Sequence, residues 1–438
     1  MARRYGRRRR GQRLRCGVPH GHYKAVAAAA WCRRLAPLDG GALTQTAPQG
    51  AGDDVRDRRG GLESAMGLFD RRNTPLKGDD RIEPQGGEMS NPYLALKDHQ
   101  YWRRSVAGVE THRFDPVTNP RFVISSEAAV ATAGSCFAQH ISRRLLASGL
   151  RYLVSESGDK LDDETRQHRQ FGVFSARYGN VYTTTQLLQL LEEAFGHFDP
   201  IEKFWQRPDG RFVDPYRQTI EPDGFESPEA VYADRRKHLD AVRTMFSTAD
   251  VFVFTLGLTE AWRSKRDGAV FSSAPGVVAD GFDKTRHEFV NFGFKDVCAS
   301  LSKFLDRLKV INPSVKVLLT VSPVPLIATY EDRSVLVSSV YSKSVLRVTS
   351  EAMITKYGWV DYFPSYEIIA GSYAGGLYYE DDWREVNSIG VAHAMRCFMR
   401  HYTSLAPNVE DGAQAASILP TGGGLLICDE ELMDAVRD

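Results

Sequence analysis

The sequence predicts a doubly wound α/β fold, a parallel sheet covered by helices on both faces. Three observations carry that expectation. Two short, near-continuous apolar runs, Val251–Leu256 and Val315–Val321, have strand length and stop abruptly at Gly257 and at Ser322-Pro323. Amphipathic stretches of helical spacing separate such runs, and strands apolar on both faces belong in parallel sheets sandwiched between helices. Finally, 42% hydrophobic and 25% charged residues over 438 positions are globular proportions, which exclude a wholly disordered, collagen-like or coiled-coil chain.

The elements follow in order. Ala128–Ala133 is an apolar strand that ends at Gly134-Ser135, and Phe137–Ser148 is a helix whose inner face is Phe137, Ile141, Leu145 and Leu146. Thr184–Phe195 is helical through a leucine stripe. Ser227-Pro228 supplies an N-cap and first-turn proline for a helix reaching about Phe246. Strand Val251–Leu256, helix Phe294–Val310, strand Val315–Val321, helix Val337–Tyr357, strand Trp359–Phe363 and helix Ser388–Tyr402 complete the pattern. Residues 197–226 and 263–293, rich in Gly, Pro, Asp and aromatics, are expected as loop insertions over the strand ends. Ligands of such sheets bind outside the carboxyl ends of strands, so the loops after Ala133, Leu256, Val321 and Phe363 are the ones that matter.

Charge is unevenly distributed. Residues 1–88 hold 18 Lys/Arg against 10 Asp/Glu, whereas the remainder holds 38 against 45. The mildly acidic folded part argues against nucleic acid as its partner. The first 88 residues offer too little apolar surface to offset lost chain entropy, so they are expected as a disordered Arg/Gly-rich extension or an upstream mis-assigned start, with Met66 and Met89 as alternative starts. A domain is expected over 89–405 and a C-terminal tail over 406–438. No run approaches the ~18–20 apolar residues of a membrane span. Six scattered cysteines without Cys-x-x-Cys pairs predict reduced thiols in a cytoplasm, and no structural zinc.

Thr132-Ala-Gly-Ser-Cys-Phe-Ala138 is the most informative segment. A small-residue turn from buried strand to helix puts Ser135 at a helix N-terminus, where its own N–H and that of Cys136 can face a developing oxyanion. An ordinary capping serine is the competing reading. Cys136 competes as nucleophile, since thiols at helix starts are acidified, but is expected to point into the core as a small apolar group.

Gly134-Ser-Cys-Phe-Ala138 resembles the signature of GSCFA-domain proteins, a branch of the SGNH/GDSL hydrolase superfamily. Tyr178-Gly-Asn-Val-Tyr182, Thr255-Leu-Gly-Leu-Thr-Glu-Ala-Trp262, Ser322-Pro-Val324, Tyr362-Phe-Pro-Ser-Tyr-Glu367 and Tyr378-Tyr-Glu-Asp-Asp382 follow in the order that family uses, over roughly residues 89–405. The resemblance implies a flavodoxin-like three-layer sandwich with Ser135 as nucleophile. It also implies an oxyanion hole drawn from Ser135, Cys136, Gly179, Asn180, Gly257 and Thr259. Thr259 stands where the superfamily has an asparagine amide; a hydroxyl still donates one hydrogen bond. Asp382-Trp-Arg-Glu385 stands where the superfamily has Asp-x-x-His, which puts Glu385 in the place of the general base, with Asp382 beside it. His393 and His140 are the alternative bases, although surface or packing roles explain both.

Glu260, Trp262, Ser322 and Pro323 are expected around the substrate. Arg263, Lys265 and Arg266 would suit an anionic or glycan substrate, or a solvated loop. Tyr341-Ser-Lys343 is a poor Ser–Lys dyad, because side chains two apart on a helix diverge. The leading expectation is an SGNH-type serine ester hydrolase or O-acyltransferase acting on a small or carbohydrate-linked acyl ester. The rival is a non-catalytic binder of glycan or acyl ligand that keeps the fold without the base. Neither implies a metal or an organic cofactor, and a dinucleotide enzyme is disfavoured by the lack of a Gly-x-Gly-x-x-Gly turn.

Overall fold

The computed structural model describes residues 91–279 and 281–405; the extension 1–88, Met66 and Met89, and the tail 406–438 expected above lie outside the described residues. The chain first makes short helical turns up to Arg113. It then runs β1 (Val130–Gly134), α1 (Ala138–Ala147), α2 (Asp163–His168) and α3 (Thr184–Ala194). Next come β2 (Trp205–Gln206), β3 (Phe212–Val213), α4 (Pro228–Thr248), β4 (Val251–Leu256), β5 (Glu260–Ser264) and β6 (His287–Asn291). The remainder is α5 (Phe294–Ile311), β7 (Lys316–Val321), α6 (Val335–Lys356), β8 (Val360–Tyr362), α7 (Ser365–Ala370) and α8 (Ser388–Tyr402).

β1, β4, β7 and β8 form a parallel sheet in that order. Val130 to Gly134 pair with Val251 to Thr255, and Val251 to Leu256 pair with Lys316 to Val321. On the free side of β1, Tyr152 makes a one-residue parallel bridge to Val130. Counting Tyr152, the chain moves outward from β1 to that edge and then returns past β1 to β4. β1 is therefore the place where the strand order reverses, the point at which such sheets open a crevice.

Side-chain alternation builds the layers. Phe252, Phe254, Val317 and Leu319 face a core closed by α3, α4, α5 and α6, while Val251, Val253 and Leu318 face a second core closed by α1, α7 and α8. Each fully buried Phe or Leu contributes roughly 1.5–3 kcal/mol. Local signals start the helices: Ser227 Oγ accepts from Ala230 N–H ahead of Pro228, Thr183 and Gln186 form a capping box on α3, and Asn387 Oδ1 accepts from Gly390 N–H on α8.

The expected elements are present, with ends shifted by a residue or two. The segment 263–293 is not simply loop, because β5 and β6 pair as an antiparallel ribbon from Glu260–Asn291 to Ser264–His287. A second, two-residue ribbon joins β2 and β3. Alternation over so few residues, interrupted by Gly and Pro, is too short to read as strand from the sequence.

Candidate functional site

Four separate segments converge at the carboxyl ends of β1 and β4. Gly134 has φ 141°, and a Cβ there would stand 2.3 Å from Thr255 O, so the glycine is what allows β1 to pass so close to β4. Ser135 N–H donates to Thr255 O at 3.2 Å and its carbonyl accepts from Ala138 N–H at 2.8 Å, opening the turn into α1. Val181 N–H donates to Gly134 O at 2.8 Å, and Tyr182 O accepts from Gly257 N–H at 3.0 Å and Leu258 N–H at 3.2 Å. Ser322 N–H donates to Leu256 O at 2.9 Å. The blocks around Gly134, Tyr182, Gly257 and Ser322 are thus stitched together by backbone bonds.

Ser135 is 3% exposed, and among the described residues its Oγ has no hydrogen-bond partner. It opens on a cavity of about 10 Å³ shared with Cys136, Gly257, Ser322, Val324 and Lys343. Lys343, 4% exposed, enters from α6 and donates from Nζ to Gly257 O at 2.6 Å. The preceding residue, Ser342, accepts Thr259 N–H at 3.0 Å on Oγ, so α6 holds the whole Gly257–Thr259 turn. Tyr182, Leu258 and Leu326 line both this cavity and a chamber of about 540 Å³. The chamber's walls are aromatic: Trp262 lies 4.7 Å from Tyr330 and 5.0 Å from Phe282 between ring centroids, and Phe289 lies 5.2 Å from Tyr330.

The expected oxyanion donors sort unevenly. The N–H groups of Ser135 and Gly257 are spent on Thr255 O and Tyr182 O, and the Thr259 hydroxyl donates to Asn291 Oδ1 at 2.7 Å. Cys136 N–H, at an opening helix turn, makes no hydrogen bond among the described residues. Cys136 is buried and lines the Ser135 cavity. Gly179 adopts φ 69° in the turn that delivers Val181, and Asn180 lines a separate cavity of about 30 Å³ with Arg217 and Arg235.

The expected bases stand elsewhere. Asp382 and Glu385 are exposed and do not line the Ser135 cavity. Asp382 Oδ1 accepts from the N–H groups of Arg384 at 2.9 Å and Glu385 at 3.0 Å, a turn-closing role that a short carboxylate performs in any tight loop. His393 is buried among α8 and the segment before β1, its Nδ1 bonded to Tyr378 OH and its Nε2 to Phe114 O, both at 2.6 Å. Burial lowers its pKa, and both ring nitrogens are committed to packing. His140 sits edge-on to Phe137, is not part of the cavity lining, and is held neutral, at about 4, by burial and then by Arg143.

Glu260 and Trp262 line the chamber wall, whereas Ser322 lines the serine cavity and Pro323 lines neither. Pro323 instead offers its carbonyl to Tyr379 OH at 3.0 Å. Arg263 is paired with Glu288 at 2.8 Å and Lys265 Nζ donates to Lys284 O at 2.7 Å, so both brace the β5–β6 ribbon. Among the described residues no group of three or more His, Cys, Asp or Glu is placed to hold a metal ion, and no helix is long and apolar enough to cross a membrane.

Lys343 is the side chain that sequence reasoning passed over. A signal existed: Ser338, Ser339, Ser342 and Lys343 put polar groups on the face of α6 that is buried. Polar residues on a buried helical face need partners, and here the partners are the turns after β4 and β7.

An α/β protein with a buried serine at the switch point of a parallel sheet is the class that fold and site define. The chain belongs to the GSCFA family, whose family model matches residues 129–398, from just before β1 into α8. No curated protein and no solved structure matches the chain.

Proposed function

We propose that the protein is a serine ester hydrolase or O-acyltransferase of SGNH type with Ser135 as nucleophile. The observation that carries this reading is the buried, unbonded Ser135 Oγ at the strand-order reversal, next to an unused N–H and in a small cavity that shares Tyr182, Leu258 and Leu326 with an apolar chamber. The order of the family-like blocks along β1, β4 and β7 supports the superfamily link. In this mechanism Ser135 Oγ attacks the ester carbonyl carbon and its proton passes to Lys343 Nζ. The carbonyl oxygen gains negative charge and takes the Cys136 N–H; collapse expels the alcohol, which leaves with the proton from Lys343. Water or an acceptor hydroxyl then releases the acyl group from Ser135. Lys343 is the amine in the Ser135 cavity, and it enters there from α6. Glu385 is not given this role, because it is exposed on a loop outside the cavity.

A second reading, a non-catalytic acyl-ligand binder, draws support from Glu385 replacing the superfamily histidine. A fluorophosphonate probe separates the two. Labelling that disappears in Ser135→Ala and persists in Cys136→Ala supports the esterase. Labelling on Cys136, or none at all, removes Ser135 from the nucleophile's role.

A further inference from the structure

We infer that the chamber beside Ser135 is a binding site for an apolar acyl chain of medium length, and that it does not take the sugar portion of a substrate. This names the substrate class of the esterase reading and rests on the same site, but its argument is independent of the chemistry. The chamber, about 540 Å³, falls within the ~300–1,000 Å³ of small-molecule sites and shares the lining residues Tyr182, Leu258 and Leu326 with the serine cavity.

Four polar side chains in its wall, Gln186, Glu260, Ser272 and Ser273, are already bonded within the protein. Gln186 gives Nε2–H to Phe271 O at 3.0 Å and receives Thr183 N–H at 2.9 Å. Glu260 receives the Thr329 hydroxyl at 2.6 Å and Tyr330 N–H at 3.2 Å. Ser272 donates to Pro215 O at 3.3 Å and Ser273 to Gln218 Oε1 at 2.9 Å. A sugar hydroxyl entering here would give up water and find these partners engaged, which is unfavourable. A hydrocarbon chain gives up nothing and covers Trp262, Phe282, Phe289 and Tyr330. The alcohol side of the ester, which can be a sugar, then points away from the chamber.

The test uses full-length Ser135→Ala and calorimetric binding of hexanoate, octanoate and decanoate, with glucose as the polar probe. Affinity should rise about fourfold per added methylene, the transfer increment of a buried CH₂, and glucose should not bind. Ala328→Trp places an indole on an exposed, chamber-lining position away from either core and should weaken decanoate at least tenfold with unchanged circular dichroism. Affinity independent of chain length, glucose binding of equal strength, or an unaltered decanoate affinity in Ala328→Trp would overturn the inference. Because Ser135→Ala is used, chain-length-dependent binding combined with no ester hydrolysis by the parent protein refutes the esterase reading alone.

Discussion

Replacing Gly134 by alanine tests whether the first glycine of the signature serves packing rather than chemistry. The added Cβ would stand 2.3 Å from Thr255 O, 2.7 Å from Thr255 Cβ and 2.8 Å from Thr255 N. Ordinary carbon contacts lie at about 3.5–4.0 Å, and the atoms in the way belong to a central strand paired on both sides. Overpacking of this kind costs about 1–3 kcal/mol, and forcing an L-residue to φ 141° adds about 1–3 kcal/mol more. The expected loss is about 4 kcal/mol out of about 5–15 kcal/mol for a typical domain. At about 2–4 °C per kcal/mol, the melting temperature should fall by about 8–16 °C. Gly149→Ala is the control, since Gly149 also has positive φ, 72°, but nothing within 4 Å of its added Cβ. It should lose only about 1 kcal/mol. Urea unfolding followed by circular dichroism measures both. A Gly134→Ala variant within 1 kcal/mol of Gly149→Ala would refute the close-approach argument.

Lys343→Met should lower ester turnover by about a hundredfold or more, with a fall in melting temperature of several degrees because the Gly257 carbonyl loses its Lys343 donor; turnover within threefold of the parent would remove Lys343 as the proton acceptor. Glu385→Gln should leave turnover and stability near the parent's, since Glu385 is exposed and its hydrogen bonds to Asp382 and Glu380 are made by its backbone, and a hundredfold loss of turnover would restore it as the base. Acid should destabilise the protein in two stages. Burial and then Arg217 lower His238 from 6.5 to about 4, so the native state resists a proton that the unfolded chain binds, and stability falls as pH drops from about 6.5 towards 4. Burial alone would raise Asp214 and Glu156, but Arg235 and Arg217 outweigh it at Asp214, and at Glu156 the hydrogen bond from His238 leads the opposing effects, so both are held at about 2. Their contribution is complete above the ordinary carboxylate range and disappears as pH falls towards 2. Urea midpoints measured from pH 7 to pH 3 should decline throughout, and a flat profile between pH 6.5 and 4 would contradict the His238 assignment.

The sheet, its helices and the place of Ser135 were legible in the sequence because each depends on neighbours within a few positions. An apolar run such as Val251–Leu256 has one stable use, and Gly134-Ser135 after a buried strand can only be a turn into the next helix. The residues that meet Ser135 were not legible, because contact across elements depends on how α6 and the loops pack. Lys343 looked unpromising beside Ser342 in sequence. In the fold the two side chains reach the same turn after β4, Ser342 to Thr259 N–H and Lys343 to Gly257 O. Glu385 was matched to a catalytic place by its position in a motif, yet a loop's register along the chain does not fix which way its side chains face. The same is true of donors: Ser135 and Gly257 had N–H groups in the right segments, but the β1–β4 ladder and Tyr182 O took them. Local periodicity decides elements, whereas the distribution of buried hydrogen bonds, which every polar group competes for once water is excluded, is decided only by the packed tertiary structure.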